Sequence, residues 1–281
     1  QDTVSQRDTG WMQFYCMSNQ EILDQIILAY KVAEQVMIPI MVCFDGFRLS
    51  HTMMHVTIPS QEEVDAFLPP FRLPYRLDAE VPVNINPVVM TDSLPGANGT
   101  LCPSYMGFRR RLQEAFEASP ETIAAVGREF EAVFGRAYED PLYRYRAEDA
   151  RFLFVTMGSL ASEASEAVDL LRERGTPVGV IGTRLFRPFP GSALAEATAR
   201  AEALIVLEKA ISYGYEGALA TELKGALFSH NGHRPAVYNY ILGLGGKDVN
   251  PVDLVEAADD CLLGVEHGRP QANPRWIGSG V

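Results

Sequence analysis

The sequence predicts an α/β protein in two unequal parts: a short strand-helix-strand unit near its start and a larger, mostly parallel α/β domain from about residue 151. Three observations carry this expectation. Apolar runs of strand length alternate with segments whose apolar residues recur near the 3.6-residue helical period. The early runs are continuously apolar and not alternating, as in a parallel sheet covered by helices on both faces. Between the two parts, residues 69–103 hold seven prolines and the turn-rich stretch Pro95-Gly96-Ala97-Asn98-Gly99, which regular structure does not tolerate.

Residues 11–17 form the first apolar run, and Ser18 with Glu21 has the spacing of a capping box that starts a helix. That helix repeats apolar residues at Ile22, Ile26, Tyr30 and Ala33, the signature of an apolar face, and residues 37–44 supply the next strand. Two strands are too few for a stable sheet, so more of it is expected upstream or in a partner. Ser60 and Glu63 open a short helix that ends near Pro69 and Pro70. Beyond the proline-rich crossing, helical segments follow, with Ser119-Pro120 reading as cap and first-turn proline of the second, and a Tyr-rich stretch, residues 138–145, leads out of them. From residue 151 the pattern is regular. A strand at 152–157 precedes a helix with apolar positions Leu160, Ala164, Val168 and Leu171, stopped at Gly175. Strands at 178–181, 203–207 and 236–242 then alternate with helices near 191–201, 216–228 and 251–262, which argues for a right-handed, mostly parallel sheet.

The 281 residues suffice for two domains, and 47% hydrophobic with 21% charged residues is a globular composition. A net charge of -12 repels phosphate backbones and anionic lipid heads, so nucleic acid is not an expected partner. The longest apolar run, residues 37–44, is strand-sized, so no membrane span is expected. Cys16, Cys43, Cys102 and Cys261 form no Cys-x-x-Cys pair, which argues against a zinc or iron–sulfur site in this segment and fits a reducing cytoplasm. Gln1 follows no initiator Met and opens no signal peptide, so the chain is expected to begin mid-protein.

Several motifs carry no distinctive chemistry. Met157-Gly158-Ser159 and Gly243-Leu244-Gly245-Gly246 lack the spacing of a dinucleotide or phosphate loop and read as turns. His51 and His55 would share a face only on a helix, and without a third ligand they read as a polar loop; no metal site is expected. His230 and His233 flank a surface turn, and no nucleophile elbow is present. The segment from Phe44 to His51 is different. It places Asp45, Arg48, Ser50 and His51 immediately after a buried strand, at the end where open α/β sheets bind ligands. The alternative is a structural loop in which Asp45 caps backbone amides and pairs with Arg48. Arg7-Asp8-Thr9-Gly10-Trp11 precedes a strand, and Arg184-Leu185-Phe186-Arg187-Pro188-Phe189-Pro190 follows one; the arginine forks of the latter suit interdomain or intersubunit docking.

Those segments resemble the alpha subunit of pyruvate and related 2-oxoacid:ferredoxin oxidoreductases. Arg7 to Trp11 is similar to the family's Arg-(Asp/Gln)-Thr-Gly-aromatic segment and Phe44 to His51 to its Asp-Gly-Phe…Ser-His loop. Met157-Gly158-Ser159 and Arg184 to Pro190 are similar to second-domain hallmarks, and order and spacing agree across nearly the whole chain. The resemblance implies the C-terminal half of a thiamine-diphosphate pyrimidine-binding domain (1–68), a proline-rich crossing and helical connector (69–150), and a transketolase C-terminal-like parallel α/β domain (151–281) that binds no cofactor. It implies oxidative decarboxylation of a 2-oxoacid, pyruvate foremost, with coenzyme A to acyl-CoA, electrons leaving through iron–sulfur clusters to ferredoxin, in a complex with other subunits. The family's activating glutamate, and the threonine and arginine that hold the substrate carboxylate, belong to segments that would precede Gln1, so the catalytic residues are not assigned here. Thiamine diphosphate, magnesium, coenzyme A and the clusters would be held mainly by other segments or subunits. Arg7, Asp8, Asp45, Arg48 and His51 are then candidates for the active-site rim or interface, and Arg184, Arg187, Glu208 and Lys209 for interdomain contacts. At the last pair the family usually has Asp-Arg, and the exchange keeps charge without the guanidinium fork. Two further readings remain: a transketolase-like enzyme half without ferredoxin, and a noncatalytic scaffold.

Overall fold

A computed structural model describes residues 1–72, 94–95, 101–102, 104–269, 271 and 273–278. Most of the proline-rich crossing, and the side chain of Cys102, lie outside the described residues.

The first part is built on strands β1 (Met12–Tyr15) and β2 (Ile40–Cys43), paired in parallel and joined by helix α1 (Asn19–Val36). Ser18 caps α1 by accepting from the Glu21 amide, while the Glu21 carboxylate reaches one residue further back, to the Met17 N–H at 2.8 Å. The predicted apolar face of α1 is not the one that packs. Ile26 and Tyr30 are 41% and 62% exposed, and Ile27, Leu28 and Val32 are buried instead. They pack with Met12 and Phe14 of β1 and with Phe67 at the end of α2 (Gln61–Phe67), whose Ser60–Glu63 capping box forms as expected.

The short pair β3 (Leu94–Pro95) and β4 (Leu101–Cys102) precedes α3 (Tyr105–Phe134). Here the expectation of two helices fails, because one 30-residue helix runs through Pro120. Ser119 does not cap a new helix; its hydroxyl donates back to the Phe116 carbonyl at 2.8 Å, a local bond of the kind that accommodates an interior helix residue. Ile123, Val126 and Phe130 of α3 complete the first core. The Tyr-rich stretch beyond it is not a plain exit loop, since β5 (Leu142–Tyr145) pairs antiparallel with a strand of the second sheet.

That sheet contains β6 (Phe152–Met157), β7 (Val178–Thr183), β9 (Ala203–Glu208), β10 (Ala236–Ile241) and a short β11 (Arg275–Trp276), in the spatial order β11-β10-β9-β6-β7-β5, all parallel except β5. Helices α4 (Leu160–Glu173) and α7 (Pro251–Glu266) share one core with Phe154, Val180, Ile205 and Tyr240. On the other face α5 (Gly191–Thr198) and α6 (Ala218–Ser229) share a second core with Leu153, Val155, Ile181, Leu204 and Val206. Successive residues of each strand thus enter opposite cores, which is why these strands read as continuously apolar.

A third strand of the first sheet comes from the second part. Strand β8 (Leu185–Arg187) runs antiparallel to β1, giving the order β2-β1-β8. The two parts therefore share a sheet, and the apolar edge of β1 is covered from within the chain.

Candidate functional site at the seam between the sheets

In the second sheet the chain leaves β6 for β7 on one side and returns to β9 on the other. The carboxyl ends of β6 and β9 therefore flank the point where strand order reverses, the crevice where open α/β folds hold ligands. Gly158 and Ser159 follow β6, and Lys209 follows β9.

Asp45, on the loop after β2, enters this crevice. Its Oδ2 accepts the Ser159 N–H at 2.7 Å, and Lys209 Nζ lies 3.6 Å from Oδ1. Ser159 does not cap α4 with its own side chain, so the carboxylate from the first part caps that helix from outside. Gly158 is required for the approach: its φ is +69°, and a β-carbon there would stand 2.9 Å from Asp45 Oδ2. Lys209 Nζ also donates to Ser159 Oγ at 2.8 Å.

Arg48, three residues on, pairs with Glu163 of α4 at 2.8 Å and not with Asp45. The internal Asp45–Arg48 pair expected of a purely structural loop therefore does not form; both groups cross the seam. Phe47 adopts φ +62°, and its ring lies against Gly246 of the Gly243–Gly246 turn. His51 is exposed, shares a 2.7 Å hydrogen bond with Ser50 Oγ and stacks on Phe47 with centroids 5.0 Å apart. His55 is exposed outside any helix.

The other candidates lie along the same seam in separate clusters. Arg187 donates to Glu222 of α6 at 2.6 Å, Arg7 Nε is 3.7 Å from the same oxygen and 3.6 Å from Asp8, and Asp8 is 3.7 Å from Arg187. Arg184 binds Glu21 at 3.0 Å and the Leu142 carbonyl at 3.0 Å, with its guanidinium over the Tyr138 ring. Glu208 and Lys209 divide their tasks. Lys209 faces the seam, whereas Glu208 turns into the second domain and accepts from the N–H groups of Leu219 (2.8 Å) and Ala220 (3.0 Å) and from Asn239 (3.0 Å). Burial nevertheless outweighs these donors and lifts the Glu208 carboxyl to about 7.

Glu163 and Glu222 carried no motif in the sequence, and Glu21 was read there only as a capping-box member, not as the partner of Arg184. Glu21 and Glu163 each fall in the first turn of a helix, where a carboxylate already has a local role and a second one is hidden.

Two cavities open on the seam. One of about 360 Å³ is lined by Asp45, Phe47, Arg48, Lys209 and the turn from Gly243 to Val249, and one of about 180 Å³ by Tyr15, Cys43, Phe44 and Met157. Neither presents a diphosphate and metal site: Asp45 is already engaged, and among the described residues no three His, Cys, Asp or Glu side chains converge to hold a metal. Cys16, Cys43 and Cys261 are buried, and burial pushes the Cys43 thiol up to about 11, that of Cys261 up to about 12 and that of Cys16 higher still. Protonated thiols of this kind pack as small hydrophobes and do not suit a cluster. No helix among the described residues is long and apolar enough to cross a membrane.

Two family models match, pyruvate flavodoxin/ferredoxin oxidoreductase, thiamine diphosphate-binding, over residues 1–126, and pyruvate:ferredoxin oxidoreductase core domain II over 150–254. The chain is 43% identical over 276 residues to ketoisovalerate oxidoreductase subunit VorA of Pyrococcus abyssi, covering 98% of this chain and 67% of that one. It is 38% identical over 280 residues to pyruvate synthase subunit PorA of Methanothermobacter thermautotrophicus, covering 99% and 67%. The fold is shared with a 2-oxoglutarate:ferredoxin oxidoreductase from Magnetococcus marinus, at TM-score 0.53 and 15% identity, over 89% of this chain and 42% of that one. A thiamine-diphosphate-binding-type domain is thus followed by core domain II, and the chain belongs to the alpha-subunit family of the pyruvate and related 2-oxoacid:ferredoxin oxidoreductases.

Proposed function

We propose that this chain acts within a multisubunit enzyme that oxidatively decarboxylates a 2-oxoacid with coenzyme A and passes the electrons to ferredoxin. The observation that carries the reading is identity of about 40% to VorA and PorA subunits along nearly the whole chain. Pyruvate and 3-methyl-2-oxobutanoate are the two substrates to set against each other, because pyruvate synthase subunits at 38–41% identity and ketoisovalerate oxidoreductase subunits at 42–43% lie close together. Thiamine diphosphate would supply the carbanion chemistry when bound. The residues here do not fit as the holders of its diphosphate and magnesium, nor of iron–sulfur clusters, so those roles fall to other segments or subunits.

In this reading residues 1–68 are the later part of the pyrimidine-binding domain, 69–150 the connector and 151–281 the transketolase C-terminal-like domain. The loop of Asp45, Arg48 and His51, with Arg7 and Asp8, forms the rim or interface of the active site. Arg184, Arg187 and Lys209 keep the second domain seated behind it, and Glu208 supports Lys209 from within. The exposed apolar stripe Ile26–Tyr30–Met37 on and beyond α1 supports assembly with partner protein, and the buried free thiols suit a reducing cytoplasm.

The test is reduction of a viologen by the purified full-length complex, dependent on coenzyme A and compared between pyruvate and 3-methyl-2-oxobutanoate. A complex that turns over neither, while binding thiamine diphosphate, refutes the oxidoreductase reading.

A further inference from the structure

We propose that Glu163 is a positioning residue that fixes the loop of residues 45–51 against the second sheet; the inference rests on the placement of that loop at the active-site rim given above. Its side chain is only 3% exposed, whereas that of its partner Arg48 is 48% exposed. One carboxylate oxygen, Oε1, meets Arg48 at 2.8 Å and accepts from Ser159 Oγ at 3.3 Å. The other, Oε2, is buried and has no hydrogen-bond partner among the described residues. Arg48, Lys209 and Asp45 are the charges that face it, and burial still holds its carboxyl above the ordinary range.

A glutamate in that state is a poor device for stability. Removing a carboxylate from water costs free energy that one ion pair and one long hydroxyl contact offset incompletely, and a bare oxygen adds to the deficit. What the arrangement does supply is geometry. Asp45 ties the loop to the N-cap of α4 through Ser159 N–H, and Arg48 ties it to Glu163 in the first turn of that helix. A single tie leaves a hinge about which the loop can swing; two ties three residues apart fix its orientation. Between them the loop closes on itself, the amides of Leu49 and Ser50 donating to the Asp45 carbonyl and that of His51 to the Phe47 carbonyl. The direction in which His51 faces is thereby set by a buried carboxylate on another domain.

The test is Glu163→Gln in the full-length chain within its assembled complex, read by amide hydrogen exchange and by turnover. The expected result is exchange at residues 46–51 accelerated about tenfold or more, the consequence of losing a hydrogen bond to a charged group. The amides of β6 and α4 should keep their protection, and kcat/KM for the 2-oxoacid should fall. Arg48→Ala cuts the same tie from its exposed side, guarding against a Glu163 variant that fails to fold, and combining the two should add nothing further. Unchanged exchange in the loop, or acceleration spread equally over β6 and α4, overturns the positioning role. Faster loop exchange with unaltered turnover keeps the tie and overturns instead the placement of the loop at the active-site rim.

Discussion

Replacing Glu208 by Gln should remove a pH dependence of stability that runs opposite to the usual behaviour of a paired carboxylate. The Glu208 carboxyl stands at about 7 against an ordinary 4.5, with burial the largest cause and the Leu219, Ala220 and Asn239 donors acting against it. Because the folded state holds the proton more tightly, this group contributes stability that is fully present below pH 4.5 and is lost as pH rises through 7. At 1.36 kcal/mol per unit, the loss across that window is roughly 3 kcal/mol. Glutamine matches the acid in size and cannot lose a proton, but its NH2 cannot accept as both carboxyl oxygens do from the Leu219 and Ala220 N–H groups, which offsets the variant by an amount independent of pH. Chemical denaturation of the wild type and of Glu208→Gln from pH 4.5 to 8 should therefore give curves with a constant offset at the acid end that shifts in the variant's favour by roughly 3 kcal/mol as pH rises through 7. Curves that stay parallel would show that the three donors hold Glu208 ionised throughout, and a wild type that gains stability over the variant with rising pH would reverse the sign of the argument.

Other perturbations test the seam and its supports. Asp45→Ala should cost about 1–2 kcal/mol as the outside cap of α4 is lost, and formate or acetate should restore part of the melting temperature saturably by occupying the vacated site; absence of any rescue would mean that the site is no anion pocket. Gly158→Ala forces a side chain into left-handed backbone and against Asp45 Oδ2, so a loss of about 1–2 kcal/mol is expected from strain alone, with a further loss that disappears in the Asp45→Ala background. Arg136→Ala strips both guanidinium bonds, 2.6 and 2.8 Å, from the fully buried Asp24, and should cost about 3–5 kcal/mol because a charge is left buried and unpaired; a change below 1 kcal/mol in denaturant unfolding would refute that.

The four central strands of the second sheet were legible in the sequence because each is a continuous apolar run of strand length set between helical segments. Leu160, Ala164, Val168 and Leu171 all face the core, and the strand at 152–157 falls on the predicted residues. Helix α1 was located correctly by Ser18 but its face was misread. With Ile22, Ile26, Ile27, Leu28 and Tyr30 present, two faces satisfy the same period, and only the neighbours β1, α2 and α3 decide between them. Pro120 looked like a helix start because a first-turn proline and an interior one share a local sequence, and the packing of Ile123, Val126 and Phe130 is not visible locally. Strand β8 was hidden for a different reason: it is three residues long, and its partner lies some 170 positions earlier in the chain. The seam residues were found as motifs, yet their pairing with Glu21, Glu163 and Glu222 was not, since pairing across the fold leaves no spacing to read.

The position of Asp45 also shows how a crevice of the second sheet is engaged from within the chain. A strand-order reversal leaves a crevice with a helix N-terminus and an adjacent cation, an arrangement that attracts an anion. Here the helix is α4, the cation is Lys209, and the anion is a carboxylate from the first sheet, admitted by a glycine at the one position where a β-carbon would block it. What serves in other α/β folds as a binding site is thus turned into a joint. Its chemistry survives as specificity of docking: the first domain must present a negative charge at the loop after β2, and the second must present an amide and an ammonium in return. The joint also couples the parts, because Asp45 and Arg48 sit on the same short loop and grip α4 at its N-cap and first turn, so that a shift of α4 displaces the backbone that carries His51 and the reverse holds equally.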